Sequence, residues 1–169
     1  MISFEEALKI VFSNGIPKMK IESGVIEAVS TSSRKGVAKS NVEEVELVAD
    51  WGIKGDAHAG EWHRQVSLLA VESIEKMQQL GADVRAGDFA ENITSRGLDV
   101  PNLTVGDHLL CGETELEVTQ IGKECHSRCA IYAAVGDCVM PREGVFARVV
   151  RGGTLKPGMK IERLPVLKS

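Results

Sequence analysis

HLLCGETELEVTQI, residues 108–121, is the stretch of sequence that decides the fold. Its second half alternates acidic and apolar residues, and Gly112-Glu113 interrupts the apolar residues near its middle. Alternation beside a short glycine-containing turn predicts an antiparallel β-hairpin with one buried face. We therefore expect the chain to reverse near Gly112-Glu113.

Three further segments are typical of short strands. KIESGVIEAVST (20–31) predicts one strand bent at Gly24, and VEEVELVAD (42–50) alternates apolar and acidic residues. RQVSLLA (64–70) is mostly apolar, which favours a buried strand, while residues 32–41 predict a polar, mobile loop. Short strands at this spacing with few helices favour a mainly β fold, an antiparallel β-barrel, over a doubly wound sheet.

The remaining elements are two helices and a second hairpin. Ser3 and Glu6 form a capping box at the start of a helix over residues 3–15, and the spacing of apolar residues predicts a helix over 71–81. Residues 144–164 predict a hairpin that turns at Arg151-Gly152-Gly153. These patterns divide the chain into an accessory helix within residues 1–19 and one domain over residues 20–165.

Composition excludes several classes of function. The 169 residues are 43% hydrophobic and 26% charged, with a formal net charge of −4, as in one ordinary globular domain. Lysines and arginines are scattered, whereas a nucleic-acid surface needs a coherent basic face. The sequence has no 18-residue apolar run for a membrane span and no secretory signal pattern at its start, so we expect a cytoplasmic protein. Dinucleotide, nucleoside triphosphate and serine-hydrolase motifs are missing.

GKECHSRCAIY, residues 122–132, places two cysteines and a histidine close together. The spacing from Cys125 to Cys129 is unusual for a zinc knuckle, but these two cysteines and Cys138 could still bind zinc or iron with a distant histidine. A dithiol redox pair is a second interpretation. Packing of the cysteines as small apolar residues is a third.

A single reactive thiolate at Cys125 is the fourth interpretation. Cys125 follows Lys123 and precedes His126 and Arg128, cationic groups that lower a thiol pKa. It also follows a predicted strand, where loops commonly present chemistry at a barrel rim. The residues alone leave these four alternatives open.

GIKGDAHAGEWHRQVSLL, residues 52–69, is the second unusual segment. Its glycines permit close approach of the backbone to a ligand, and Lys54 and Arg64 suit a phosphate or another anion. His58 and His63 could bind a metal or form ordinary hydrogen bonds.

Four blocks of sequence carry a family resemblance. They are GIKGDAHAGEWHRQVSLL (52–69), GDFAENITSRGL (87–98), VGD (105–107) and LEVTQIGKEC (116–125). In this order, within residues 22–164, they resemble the MOSC domain, the family named for the C-terminal domain of molybdenum-cofactor sulfurase.

The resemblance implies a barrel-like domain that handles the molybdenum cofactor, molybdopterin, through one cysteine. By its position after VTQ, that cysteine is Cys125, which is implied as the catalytic thiol and as the molybdenum ligand. The implied role is either a sulfur carrier in cofactor sulfuration or a site of molybdenum-dependent reduction of N-hydroxylated compounds. Whether the chain is itself an enzyme stays open between a sulfurtransferase and a reductase.

The resemblance also implies a set of cofactor-binding residues and partners. The binding residues lie in the matching blocks and beside Cys125: Lys54, Gly55, Asp56, His58, His63, Arg64, Asn92, Thr94, Gln120 and Lys123. We expect no pyridoxal phosphate site in this chain, so sulfur would come from a separate cysteine desulfurase. Enzymes of cofactor biosynthesis are the other expected partners, and neither nucleic acid nor membrane is expected.

Two alternatives belong to other classes of protein. The first is a small zinc- or iron-binding protein that uses Cys125, Cys129 and Cys138. The second is a non-catalytic partner in cofactor biosynthesis.

Overall fold

Eleven strands and two short helices lie within the described residues 22–164. The computed structural model describes residues 3–6, 22–123, 131 and 135–164. The strands are β1 (Ser23–Thr31), β2 (Ser40–Val42), β3 (Val45–Val48), β4 (Gly52–Ile53), β5 (Val66–Ala70), β6 (Ile93–Arg96), β7 (His108–Cys111), β8 (Thr114–Ile121), β9 (Val145–Arg151), β10 (Gly153–Leu155) and β11 (Lys160–Leu164). The helices are α1 (Val71–Gln79) and α2 (Met140–Glu143), and a single 3₁₀ turn spans Val100–Asn102.

Seven strands close into a barrel. Their order is β11-β7-β8-β9-β5-β6-β1, and pairing of β1 with β11 completes the ring. β2 extends the sheet beside β1, and β10, β3 and β4 form a separate three-stranded sheet. This confirms the predicted mainly β barrel. One neighbouring pair, β5 and β6, is parallel, because α1 carries the chain from the end of β5 back to the start of β6.

Alternating residues of the barrel strands divide between two apolar clusters. In β5, Val66 and Leu68 belong to the barrel interior, whereas Leu69 packs with Ile74 and Met77 of α1. Side chains at successive positions of a strand point to opposite faces. The mostly apolar run predicted as a buried strand is therefore buried on both faces, and α1 covers the outer one.

The hairpin predicted over residues 108–121 is present. β7 and β8 pair antiparallel, with Cys111 opposite Thr114 around Gly112-Glu113. Gly112 has a φ of 55°, a left-handed conformation that glycine adopts without a steric cost. The strand predicted over residues 20–31 is present as β1, which begins at Ser23, and the irregularity in its pairing with β6 lies between Ile26 and Ala28.

The predicted hairpin over residues 144–164 is wrong. β9 pairs with β8 and β5, while β10 pairs with β3 and β11 pairs with β7 and β1. A Cβ atom at Gly152 would lie 2.4 Å from the carbonyl oxygen of Leu47. The glycines therefore let the chain pass close to β3 and enter the second sheet, rather than turn back along β9.

The capping box at the chain start is confirmed. The Ser3 backbone N–H donates to Glu6 Oε2 (3.0 Å), the Glu6 N–H donates to Ser3 Oγ (3.1 Å), and residues 4–6 are helical. The rest of the predicted helix lies outside the described residues, so the accessory helix and the domain boundary stay predictions. Within the described part of the chain, no helix is long and apolar enough to cross a membrane.

Candidate functional site

Three segments that are distant in sequence meet in one cluster of polar and cationic side chains. They are the loop between β1 and β2, the loop between β4 and β5, and the end of β8. We call this cluster the cationic site. Its members are Ser32, Lys35, Lys39, Asp56, His58, Trp62, His63, Arg64, Gln120 and Lys123.

A buried ion pair joins the first two segments. Lys39 Nζ lies 2.8 Å from Asp56 Oδ1, and both side chains are 0% exposed. Asp56 also accepts hydrogen bonds from the backbone N–H groups of Ser32 (3.1 Å) and His58 (3.0 Å). Burial alone would raise the pKa of Asp56, but the hydrogen bonds from Lys39 and from the two backbone groups outweigh it, and the pKa is lowered. The carboxylate is therefore ionised and ties the two loops together.

Lys39 uses its ammonium group for three contacts. Besides Asp56, Nζ lies 3.0 Å from Ser32 Oγ and 2.9 Å from His58 Nδ1. Burial lowers the pKa of His58 to about 4, and the nearby charges of Lys39, Lys123 and Lys35 add to this shift against the opposing charge of Asp56. His58 is thus a neutral imidazole at physiological pH.

Trp62 contacts His58 and two cations in the cationic site. Its indole N–H donates to the His58 carbonyl oxygen (2.7 Å), and the two rings lie 6° from parallel with centroids 6.4 Å apart. The Lys35 ammonium lies 4.8 Å and the Arg64 guanidinium 4.6 Å from the centroid of the Trp62 ring. Cations within about 6 Å of an aromatic ring are attracted by its quadrupole, so Trp62 gathers two positive charges beside His58.

Arg64 has an unsatisfied polar atom. Its guanidinium also lies 5.6 Å from the centroid of Phe146, and its Nε atom is buried without a hydrogen-bond partner among the described residues. Buried donors without partners are uncommon in folded proteins. The unpaired donor suits an acceptor atom supplied by a ligand.

The end of β8 joins the same cluster. His63 Nε2 lies 2.7 Å from Gln120 Oε1, and the Thr119 hydroxyl donates to the His63 carbonyl oxygen. Gln120 donates in turn to the Gly122 carbonyl oxygen (2.9 Å). His63 and Gln120, both expected binding residues, are therefore in direct contact.

The chain beyond β8 is anchored before it reaches the cysteine cluster. The Gly122 N–H donates to the Gly144 carbonyl oxygen (2.7 Å), and the Lys123 N–H donates to that of Pro141 (3.2 Å). A Cβ atom at Gly122 would lie 2.3 Å from the Pro141 oxygen, so only glycine fits this approach. Lys123 also contributes to the lowered pKa of His58, so its charge lies within electrostatic range of the cationic site.

Four other expected binding residues lie elsewhere. Lys54 is 73% exposed and 3.7 Å from Glu46, and Gly55 is exposed with open space around it. Asn92 and Thr94 are 0% exposed, so their side chains are enclosed within the protein.

Asn92 and Thr94 stabilise the barrel wall. The Asn92 amide donates to the Ser30 carbonyl oxygen (3.0 Å), and its oxygen accepts from the Ser67 N–H (3.0 Å). The Thr94 hydroxyl donates to Glu91 Oε2 (2.9 Å), and burial raises the pKa of that carboxyl. The structure thus gives both residues contacts within the fold.

The cysteines divide into two groups. Cys125 and Cys129 lie outside the described residues, whereas Cys111 and Cys138 are buried. Burial, with a smaller effect of Glu162, raises the pKa of the Cys111 thiol to about 12, so this thiol stays protonated. Among the residues that the structure describes, no three histidine, cysteine, aspartate or glutamate side chains are arranged to hold a metal.

Sequence reasoning missed Ser32, Lys35, Lys39 and Trp62. The first three fall in the segment predicted as a mobile loop, and no motif marks them. Lys39 is buried only because Asp56, 17 residues further on, folds against it. Asp56, which lies between Gly55 and Ala57 in GIKGDAHAG, belongs to a matching block, but the sequence does not identify Lys39 as its partner.

Comparison with solved structures shows the same fold in bacterial proteins. The YuaD protein of Bacillus subtilis superposes with a TM-score of 0.72 at 17% identity, covering 85% of this chain and 97% of that one. YiiM of Escherichia coli gives a TM-score of 0.61 at 18% identity over 90% and 73% of the two chains. YiiM of Geobacillus stearothermophilus gives 0.62 at 18% identity over 84% and 75%.

Comparison of sequences identifies the family. Among curated proteins, no relative of this chain is found. Residues 55–162, however, match the family described as the MOSC domain. This range contains most of the cationic site and the end of β8, and the chain therefore belongs to the MOSC domain family.

Proposed function

We propose that this chain binds the molybdenum cofactor at the cationic site and uses Cys125 as its reactive thiolate. The MOSC family is associated with the molybdenum cofactor in general. The observation that carries the proposal for this chain is the group of cations around His58 and Trp62: Lys35, Lys123 and Arg64. The proposed setting is the cytoplasm.

The residues present fit the anionic part of such a cofactor. A phosphate group is held in proteins by arginine, lysine and neutral N–H donors. Arg64 offers a buried Nε–H that has no partner in the described structure. Lys35 and Lys123 supply positive charge near by, and His63 and Gln120 supply further polar groups.

We infer that Cys125 acts beside these groups. Lys123, two residues before it, is fixed by its bond to Pro141 and lies within electrostatic range of His58. Positive charge near a cysteine lowers the thiol pKa and increases the thiolate fraction. A soft thiolate suits molybdenum, and the bound cofactor would supply a redox-active metal centre.

Two roles of Cys125 follow from the same thiolate. In the first, it is the protein ligand of a cofactor that reduces N-hydroxylated compounds. In the second, it is a sulfur carrier: the thiolate attacks the outer sulfur of a cysteine desulfurase persulfide, the S–S bond of the donor breaks, and the donor thiolate leaves as the Cys125 persulfide forms. This exchange needs no further oxidant.

The test is reconstitution of the purified protein under anaerobic conditions. We expect wild-type protein to retain molybdenum and pterin after desalting, and Cys125→Ser protein to lose the metal or the ability to gain one sulfur atom in mass after incubation with a desulfurase. Cys111→Ser is the matched control, because Cys111 is buried and its thiol bonds to the Lys160 carbonyl oxygen. Equal behaviour of wild type and Cys125→Ser in both assays would disprove the role of Cys125.

The same experiment separates the two alternatives. The first alternative, a metal-binding protein, would be supported if the wild type held stoichiometric zinc or iron and showed no pterin fluorescence. That metal would be lost from the Cys129→Ala and Cys138→Ala proteins. A non-catalytic partner in cofactor biosynthesis would deliver cofactor normally after all accessible thiols had been blocked.

A further inference from the structure

The hydrogen bonds around Lys39 determine which nitrogen of His58 carries a proton. A lysine ammonium has three N–H donors and no acceptor. Lys39 Nζ has three partners, at 2.8 Å (Asp56 Oδ1), 3.0 Å (Ser32 Oγ) and 2.9 Å (His58 Nδ1). Because Lys39 donates in every contact, Nδ1 of His58 accepts, and in the neutral ring the proton resides on Nε2.

Nε2 of His58 is available to a ligand. It makes no hydrogen bond within the described part of the chain, and the side chain is 17% exposed. The charged groups around the ring are Lys39 and Asp56 on its Nδ1 side and Lys35 and Lys123 within electrostatic range. Three of the four are cations, so the surroundings favour a negatively charged ligand.

We propose that Lys39 holds His58 as a permanent Nε2–H donor, which makes the cationic site a receptor for an oxyanion and excludes His58 as a metal ligand. A ring nitrogen that carries a proton has no lone pair for a metal ion. The chemical class of ligand is a phosphate monoester or a comparable oxyanion. Only the identity of the natural ligand rests on the function proposed above.

Energetics support a neutral donor over a charged one. Protonating Nδ1 would remove the lone pair that Lys39 uses and would place two positive charges 2.9 Å apart. The low pKa of His58, about 4, agrees with this geometry. Lys39 is thus a positioning residue, since it acts on the ligand only through His58.

The first test reads the tautomer directly. Long-range ¹H–¹⁵N spectra of Cys125→Ser protein should show His58 with a protonated Nε2 and an unprotonated Nδ1 across about pH 5 to 8, where an ordinary histidine titrates. Lys39→Met protein, where it folds, should show mixed tautomers and titration shifted towards the usual value. A proton on Nδ1 of His58, or ordinary titration without the substitution, would overturn the proposal.

The second test uses two matched substitutions with inorganic phosphate as the probe. The glutamine amide nitrogen reaches where Nε2 stood, whereas asparagine reaches only the position of Nδ1. His58→Gln should bind phosphate nearly as wild type does, and His58→Asn about tenfold more weakly, because a charge-assisted hydrogen bond is lost. Equal binding by both variants, or no binding of phosphate to the parent protein, would overturn the proposal.

Molybdenum retention by protein that keeps Cys125 separates this inference from the proposed function. Phosphate binding that depends on the Nε2 donor, together with failure of the protein that keeps Cys125 to retain molybdenum and pterin, would uphold the inference and count against the cofactor. Retention of molybdenum and pterin by that protein, with phosphate binding independent of the Nε2 donor, would uphold the cofactor and reject the role of His58.

Discussion

Replacing Lys39 by methionine should destabilise the protein by about 3 kcal/mol. Removing one partner of a buried ion pair typically costs about 3–5 kcal/mol, because the other charge is left buried without compensation. The lower end applies here, since Asp56 keeps two backbone N–H donors, from Ser32 and His58. For a protein of this size the melting temperature should fall by about 6–12 °C.

The cost should depend on pH in a defined direction. In the wild type the pKa of Asp56 is lowered from 3.8, so its contribution to stability is present above that value and is lost as the pH falls through the lower folded pKa. In the Lys39→Met protein, burial without the counter-ion raises the pKa of Asp56, so protonation relieves the buried charge. The difference between the two proteins should therefore shrink on acidification.

Urea denaturation, followed by circular dichroism, measures this loss of stability in the wild type, in Lys39→Met and in two further variants. Lys156→Met is the matched control. Lys156 is 60% exposed and forms an ion pair with Glu44 at 3.8 Å, and exposed ion pairs contribute about 0–1 kcal/mol to stability. Lys39→Met combined with Asp56→Asn should recover part of the loss, since no buried charge is left unpaired. The reasoning is refuted if Lys39→Met is no less stable than Lys156→Met.

Three other predictions test the site and its supports. His58, whose pKa is lowered from 6.5 to about 4, should contribute a loss of about 3 kcal/mol to wild-type stability between pH 6.5 and 4, because the unfolded chain takes up a proton that folded His58 does not. A His58→Gln protein with the same pH dependence in urea denaturation would contradict this. Gly122→Ala should destabilise the protein by about 3 kcal/mol, because Gly122 has a φ of 75° and an added Cβ atom would lie 2.3 Å from the Pro141 oxygen. The control Gly158→Ala should cost only about 1–2 kcal/mol, because Gly158 has a φ of 92° but lies in open space. Equal melting temperatures of the two variants would show that the approach to Pro141 is not close. Asn92→Ala should cost about 2–3 kcal/mol, since its buried amide bridges two strands, and a thermal transition unchanged from wild type would refute that bridging role.

Local patterns predicted much of the barrel, because strand alternation and glycine turns act over a few residues. Residues 108–121 specified their hairpin through strand alternation and the turn at Gly112-Glu113. Residues 144–164 did not, because the direction taken after Gly152 is set by its close approach to Leu47 in another sheet. A contact of that kind leaves no trace in the local sequence.

Some residues of the candidate site could likewise be predicted from the sequence, whereas others could not. His58, His63 and Arg64 lie in a glycine-rich segment that indicated anion binding, and the structure brings them together with Gln120. Lys39 could not be predicted, since its role depends on burial against Asp56. Asn92 lay in a matching block, but its side chain is used between strands, which sequence patterns cannot distinguish from ligand binding.

The most direct test of the central claim is native mass spectrometry, with an ultraviolet spectrum, of the full chain purified without oxygen from cells that make molybdenum cofactor. We predict bound pterin with molybdenum, or an added sulfur on Cys125, in wild-type and Cys111→Ser protein and neither in Cys125→Ser protein. A bare chain in all three, or stoichiometric zinc or iron without pterin, would contradict the account.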